Sequence, residues 1–584
     1  MTSHLSVVEP PKDSASPIVG IDLGTTNSLV SILQAGRPII LPNSSGQRLT
    51  SSAVSVGDEG DILIGEAALA RRTTHPDETV TAFKRDMGTD RMYQLAAHEF
   101  SPQQLSAMII KSLVEDAEAA LGRSIEEAVI TVPAYFDESQ RRATKDAAVL
   151  AGIRADRIIN EPTAAAMAYG MHEMHREFKA AVLDLGGGTF DVTVLEIIEG
   201  VIEIQSSAGD SRLGGEDFVD AMTDLFARRT GLEDLREDRI KWARLRTAVE
   251  QTKRRLSFEP ASQVALANFP SDGQNLVETV TRTEAEEVFS DLLRRMRRSM
   301  LRALNDAGLS ATDIDEILLV GGATRMPCVS ALAAEVFGRV PDKHLPPDEA
   351  VAMGAAVQAA LKARDAAVED LVVTDVAPFS MGIATGSHFG RRLMTGMFTP
   401  VLERGTVIPA SREESFTTLS DKQTEMEIEV FQGEHSLCRD NKKLGAFTIK
   451  GLPPRPAGEC EVLVRFTYDL NGLLEVEATV ADTGHKKAVV LTRASGRMDE
   501  SALTGARARL QKLKFHPRDA LPNQTALSRA EALFVDLTGD ARQQLGLLQA
   551  DFRAALESQD RDRIKPAREE LLAFVSSFAH KNPD

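Results

Sequence analysis

Two stretches of this 584-residue chain repeat one grammar, and they limit what it can fold into more than any other feature. The first is Gly20-Ile21-Asp22-Leu23-Gly24-Thr25-Thr26-Asn27-Ser28. The second is Asp184-Leu185-Gly186-Gly187-Gly188-Thr189-Phe190-Asp191. In each, a β-rich run ends at an Asp, turns through Gly and Thr, and starts a second β-rich run. Glycines let backbone N–H groups approach an anion closely. The hydroxyls of Thr25, Thr26 and Thr189 add donors, and a carboxylate at a strand end, Asp22 or Asp184, can hold the water shell of Mg2+. One such turn is ordinary punctuation; two with the same Asp and Thr content point to a phosphate grip. A third glycine turn, Val320-Gly321-Gly322-Ala323-Thr324-Arg325-Met326-Pro327, closes a β-rich run and opens a helix, so it too can present N–H groups to a nucleotide. The chain has neither a GxxxxGKS/T loop nor a strand-borne GxGxxG, which counts against Walker-type and dinucleotide sites.

At this length roughly three or four packing units are expected. From residue 16 to about 360, β-rich runs (18–23, 128–132, 180–184, 190–196, 317–320) alternate with amphipathic helical stretches such as 101–121 and 138–151. Such alternation predicts a layered α/β architecture. Its two halves each carry one glycine hairpin, which suggests an old duplication. After about residue 365, strand-like pieces follow one another without long helices (415–418, 425–432, 445–449, 460–468, 473–480, 487–491). Asn471-Gly472 among them is a hairpin cue, and an all-β sandwich is expected. From about Met498 the chain is rich in Ala, Leu, Arg and Glu at helical spacing and reads as a small bundle, broken by Pro517 and Pro522 between its first two helices.

Bulk chemistry excludes some classes. A net charge of −19 and 5% aromatic residues argue against nucleic-acid binding and against docking on anionic membranes. Cys328, Cys438 and Cys460 form no CxxC or metal spacing and fit a reducing compartment. Residues 1–16 read as a frayed polar tail without a signal-peptide core, and no apolar run reaches the roughly 20 residues of a membrane span; a cytoplasmic location is expected. His172 and His175, three apart without supporting Cys or carboxylates, read as solvated surface.

Residues 21–28 (IDLGTTNS), 129–136 (VITVPAYF), 159–166 (INEPTAAA), 184–191 (DLGGGTFD), 214–218 (GGEDF) and 319–327 (LVGGATRMP) resemble the DnaK-type 70-kDa heat-shock chaperones, in that family's order and spacing. The resemblance runs from about residue 17 to 492 and fades in the helical tail. Residues 71–76, the 472–476 strand and the short C-terminus are closest to the HscC branch. The resemblance implies an actin-like, two-lobed ATPase domain (17–367), a linker (368–375), a β-sandwich that binds peptide (376–496) and a short helical lid (497–584), with ATP and Mg2+, and K+ as a further cation.

It also implies site roles. Gly24, Thr25, Thr26 and Asn27 resemble the first phosphate loop, and Gly186, Gly187 and Gly188 the second, with Gly214 and Gly215 beside it. Lys84 resembles the Lys that orients the attacking water, Glu161 the carboxylate that senses nucleotide, Thr189 a γ-phosphate contact and Asp191 a nearby carboxylate. Asp22 and Asp184 resemble the Mg2+-shell carboxylates. Glu250, Lys253, Arg254 and Ser257, at i, i+3, i+4 and i+7 on one helix face, match the adenosine-packing cluster, and Gly321, Gly322 and Arg325 the turn beside the adenine. In the linker Leu371, Val372, Val373 and Asp375 match the coupling segment, which Thr374 makes less Leu-rich. Pro133, Tyr135 and Arg141 match a relay from cleft to linker. Ile383, Phe416, Leu419, Met426 and Ile428 align with the peptide channel. Leu419 is bulky for its place, and the 386–396 arch carries His388, Phe389, Arg391 and Arg392 where Met is usual. A J-domain co-chaperone is implied at Arg157, Asn160, Thr163 and Asp375. A GrpE-type exchange factor is less clearly implied, since residues 256–282 run a few residues short of DnaK itself. Two other readings use the same α/β architecture: a small-molecule kinase and a filament-forming ATPase. Both leave residues 376–492 unexplained.

Overall fold

The computed structural model describes residues 16–171, 176–198, 201–271, 273–341, 345–368, 371–389, 392–490, 500–513, 521–557 and 561–579. His172, His175, Arg391, Pro517 and nearly all of the N-terminal tail lie outside the described residues, as do the side chains of His388, Phe389 and Arg392.

Both glycine stretches close into hairpins. Ile18–Asp22 pairs antiparallel with Asn27–Gln34, setting Asp22 opposite Leu29. Phe178–Leu185 pairs with Phe190–Ile198, setting Asp184 opposite Asp191. The strands around them repeat as well. The first strand of each hairpin has a parallel neighbour, Glu127–Val132 in one case and Glu316–Val320 in the other. The second has an antiparallel neighbour, Arg37–Leu41 or Val201–Asp210. The likeness read from the two turns thus extends to both sheets. Glu127–Val132, Phe178–Leu185 and Phe190–Ile198 are buried along nearly their whole length, as continuous apolar runs between helical layers require.

Each sheet has its own core. One gathers Val19, Ile21, Ile130 and Ile158; the other gathers Leu183, Phe190, Phe218 and Leu319. Between them lie two Ala-rich helices, Glu161–Gly170 and Ala350–Ala363, packed on one another, the second also on the Ile18–Asp22 strand. Small residues permit that contact: a Cβ on Gly354 would overlap the Ala164 carbonyl. The result is two lobes joined through these helices, with the glycine turns of the two lobes facing one another.

Val372–Val376 continues the second sheet. It lies parallel to Val201–Asp210, with Val372 beside Val201 and Thr374 beside Glu203. Val407–Ile408 then pairs on its other edge, opposite Asp375 and Val376. Leu371 is buried, Val373 is half-buried and Val372 is exposed. The β-rich region beyond consists of two four-stranded antiparallel sheets, one centred on Met381–Phe389 and Glu425–Gln432, the other on Glu461–Tyr468 and Leu474–Val480. Burial alternates along them, and both contribute to one core. The Asn471-Gly472 hairpin turns through five residues rather than two. Asp469 Oδ1 accepts from the backbone N–H groups of Asn471 and Leu473, so its carboxylate organises the loop.

The helical tail packs on the α/β region. Glu500–Lys512 lies on Glu138–Ala151 and buries Ala506 and Leu510 in the first lobe's core. Leu521–Asp536 packs against Glu66–Ala70 and against the strand Ala261–Ala267. With Gly539–Glu557 and Arg561–Ala579 it forms a small core around Leu545, Phe552 and Leu571. Pro522 sits in the first turn of Leu521–Asp536, the second helix of the tail, where its missing N–H costs nothing. The three cysteines are free and buried. Among the described residues no helix is long and apolar enough to cross a membrane.

Candidate active site

The glycine turns of the two lobes touch. A Cβ on Gly187 would collide with Thr26 Oγ1, and one on Gly188 would press on Thr25 and Arg85. Only glycine leaves both chains room at these two places. Behind them opens a cleft of about 350 Å³, the size range of small-molecule and cofactor sites. It is lined by Asp22, Gly24, Thr25, Thr26, Asn27, Lys84, Glu161, Asp184, Gly186, Gly187, Thr189 and Gly215 at its polar end, and by Glu250, Lys253, Arg254, Ser257, Phe258, Gly321, Gly322 and Arg325 elsewhere. Nearly all the cleft residues expected from sequence therefore meet in one place. Gly188 and Gly214 lie in the wall against the facing turns.

Lys84, on the short 3-10 turn Phe83–Asp86, is 3% exposed. Its Nζ lies 2.6 Å from Oε1 of Glu161, which begins a helix. Around this pair stand three more carboxylates. Asp22 accepts from Thr131 Oγ1 at 2.8 Å; burial and Glu161 push it up to about 7, against Lys84 and Thr131. Asp184 is driven well above the usual carboxylate range by burial and by Glu161, Asp191 and Asp22. Asp191 is fully buried, accepts from the Tyr135 N–H at 3.2 Å, and is pushed up to about 8 by burial and Glu161. It lies behind the cleft surface. Four carboxylates crowd around one Lys, and Asp184 Oδ2 and Asp191 Oδ2 have no hydrogen-bond partner. This donor set suits a hard divalent cation such as Mg2+.

At the other wall the charges are already paired. Glu250 accepts from Arg72 at 3.0 Å and from Arg254 at 2.6 Å. Burial opposes its charge, yet Arg72, Arg254 and Lys253 hold it well below the usual range. Lys253 Nζ donates to the Gly215 carbonyl at 2.9 Å. Arg325 is fixed by Asp348 Oδ2 through Nε at 3.2 Å and Nη2 at 2.5 Å. Ser257 caps the helix Arg239–Leu256 rather than lying within it. Arg72, Arg85 (paired with Asp217 across the lobes at 2.9 Å), Asp348 and Phe258 were missed in the sequence. Only Arg85 and Phe258 carried any signal, as neighbours of Lys84 and Ser257.

A chain of hydrogen bonds leads away from the cleft. Asp191 holds the Tyr135 N–H in the turn that follows Pro133. Arg141 donates to the carbonyls of Ala134 and Phe136 at 3.0 Å each, and to Asn160 Oδ1 at 2.6 Å. Asn160 Nδ2 donates in turn to Asp375 Oδ2 at 2.7 Å, and Thr163 Oγ1 at 3.2 Å. The β-rich region closes on the same spot. Arg157 donates to the Leu470 carbonyl, the Ile158 N–H to Asn471 Oδ1, and Lys442 to Asp137. The Tyr135 and Phe379 rings lie 4.4 Å apart. Thr374 Oγ1 is buried without a partner.

Of the residues aligned with a peptide channel, Ile383 and Ile428 are buried in the core shared by the two sheets. Phe416 and Met426 pack at its edge, and Leu419 lies against Gly386. The family model described as Hsp70 protein matches residues 18–571, a span that takes in the cleft, the strand at Asp375, both β-sheets and most of the helical tail. The chain belongs to the Hsp70 family, whose members are ATP-dependent chaperones that bind ATP with Mg2+.

Proposed function

We propose that the chain, as a member close to the HscC branch, couples ATP hydrolysis in its first 367 residues to the grip of residues 376–496 on extended apolar peptide, through the linker 368–375. The single observation behind this reading is the path from Asp191 to the Tyr135 N–H, through the 134–136 turn whose Ala134 and Phe136 carbonyls Arg141 holds, and on through Arg141 and Asn160 to Asp375, which joins the carboxylate cluster to a strand that both regions share. In this reading the phosphates lie between the two hairpin turns. Backbone N–H groups and Lys84 offset their charge, while Glu161 and Thr189 align the attacking water. Phosphoryl transfer needs positioning and charge neutralisation more than covalent help. Asp22 and Asp184 would hold Mg2+ through its water shell, and the cation would supply charge neutralisation at the phosphates.

The docked linker strand and the tail packed on the lobes fit the state in which the peptide groove stands uncovered. Hydrolysis then frees the strand, and residues 497–584 return as a lid. An element with two docking sites makes a two-state coupler. Client segments would add backbone hydrogen bonds and fill a pocket near Ile383, Phe416, Leu419, Met426 and Ile428. A J-domain partner would meet Arg157, Asn160, Thr163 and Asp375, and so compete with the 469–473 loop that Arg157 now holds. The match through residue 571 includes the segment that a kinase or filament reading leaves idle.

The test has two arms. Lys84→Ala lowers ATP turnover by about 100-fold with ATP binding retained. ATP releases a fluorescent apolar peptide from the wild-type chain and does so less from Asp375→Asn. Normal turnover in the first variant, or ATP-indifferent peptide binding in the wild type, rejects the reading.

A further inference from the structure

Among the described residues, Phe258 is the one large apolar side chain that lines the cleft while standing 73% exposed. Exposing a ring of this size gives up hydrophobic burial, and the local backbone does not demand it. Phe258 follows the capping residue Ser257, and its N–H donates to the Arg255 carbonyl at 2.9 Å. The residue is therefore carried on a fixed turn at the end of an 18-residue helix. Arg254, Ser257 and Arg325 line the same cleft, and Asp348 immobilises the Arg325 guanidinium. The carboxylate cluster with Lys84 occupies the polar end.

We propose that Phe258 is a base-stacking residue. A purine whose phosphates reach the glycine turns would lay one face on this ring, beside the plane fixed at Arg325. A π-face of this kind binds by ring area and is indifferent to the hydrogen-bonding edge. Phe258 therefore raises affinity for purine nucleotides over pyrimidine nucleotides and does nothing for phosphate alone. This inference rests on the nucleotide reading of the cleft, and the experiment separates the two.

Equilibrium binding of ATP, CTP and inorganic tripolyphosphate is measured on the full chain and on Phe258→Ala. The exposed position lets the variant fold. Stacking on an aromatic ring predicts about ten-fold weaker ATP binding, a smaller loss for CTP, and tripolyphosphate binding equal to wild type. In Phe258→Trp, indole emission above the background of the single native Trp242 is quenched by ATP and not by tripolyphosphate. Equal ATP affinity in wild type and Phe258→Ala overturns the stacking role and leaves the nucleotide reading standing, as does a loss shared by tripolyphosphate. A wild-type chain that binds none of the three overturns both.

Discussion

Asp375 faces two demands at once. It accepts hydrogen bonds from Asn160, Thr163 and the Val376 N–H, and Arg141 and Arg157 lie near, yet burial outweighs them and raises its carboxyl above the ordinary 3.8. Released from the sheet, an exposed linker carboxylate ionises near its usual value. Between the two values the docked state holds a proton that the undocked state lacks. Docking is then strengthened as pH falls toward 3.8 and weakened as pH rises past the raised value. A fluorescence-transfer pair on the two regions should report closer approach on acidification toward 3.8, and Asp375→Asn should flatten the curve. An identical curve in the variant removes Asp375 from the coupling. At this scale, what could be read from sequence depended on distance along the chain. Thr25, Thr26 and Thr189 announced themselves because a turn is a local pattern. Asp348 and Arg72, which fix Arg325 and Glu250, come from distant segments with no periodicity of their own and were invisible.

Elements were legible when their own residues carried the reason for them. The 138–151 helix came out with its boundaries intact, as Glu138–Ala151, because Asp137 caps it through the Gln140 N–H and Gly152 ends it in the left-handed region. The strand Val372–Val376 was not legible as part of the second sheet. Its partner lies some 170 residues earlier, and the apolar strip alone suits either region equally. Nor did sequence show that Gly354 sets a helix–helix distance. Gly354→Val would push a branched side chain into the Ala164 carbonyl and pry apart the helices that join the lobes. We expect a loss of about 2–3 kcal/mol in chemical denaturation with weaker ATP binding. A variant as stable as wild type would mean that the helices shift without cost.

On the scale of the whole molecule, the bundle expected as a lid over the β-sheets lies instead along the lobes. Sequence could not foresee this, because the same apolar faces of Ala506 and Leu510 would suit any apolar surface. Leu521–Asp536 touches Glu66–Ala70 in one lobe and Ala261–Ala267 in the other, and Asp536 pairs with Arg244 at 2.7 Å. Arg72–Glu250 and Arg85–Asp217 cross between the same lobes. Asp536→Ala should hasten ADP release by roughly two- to five-fold, as the loss of one partly exposed ion pair predicts. Unchanged release in stopped-flow displacement of labelled ADP would show that the pair bears no strain when the cleft opens.

Because one helix is moored to both shores of the cleft, the lobes cannot swing apart as rigid bodies without slackening that mooring. Any polypeptide that draws the C-terminal bundle toward itself therefore also unties the nucleotide's exit.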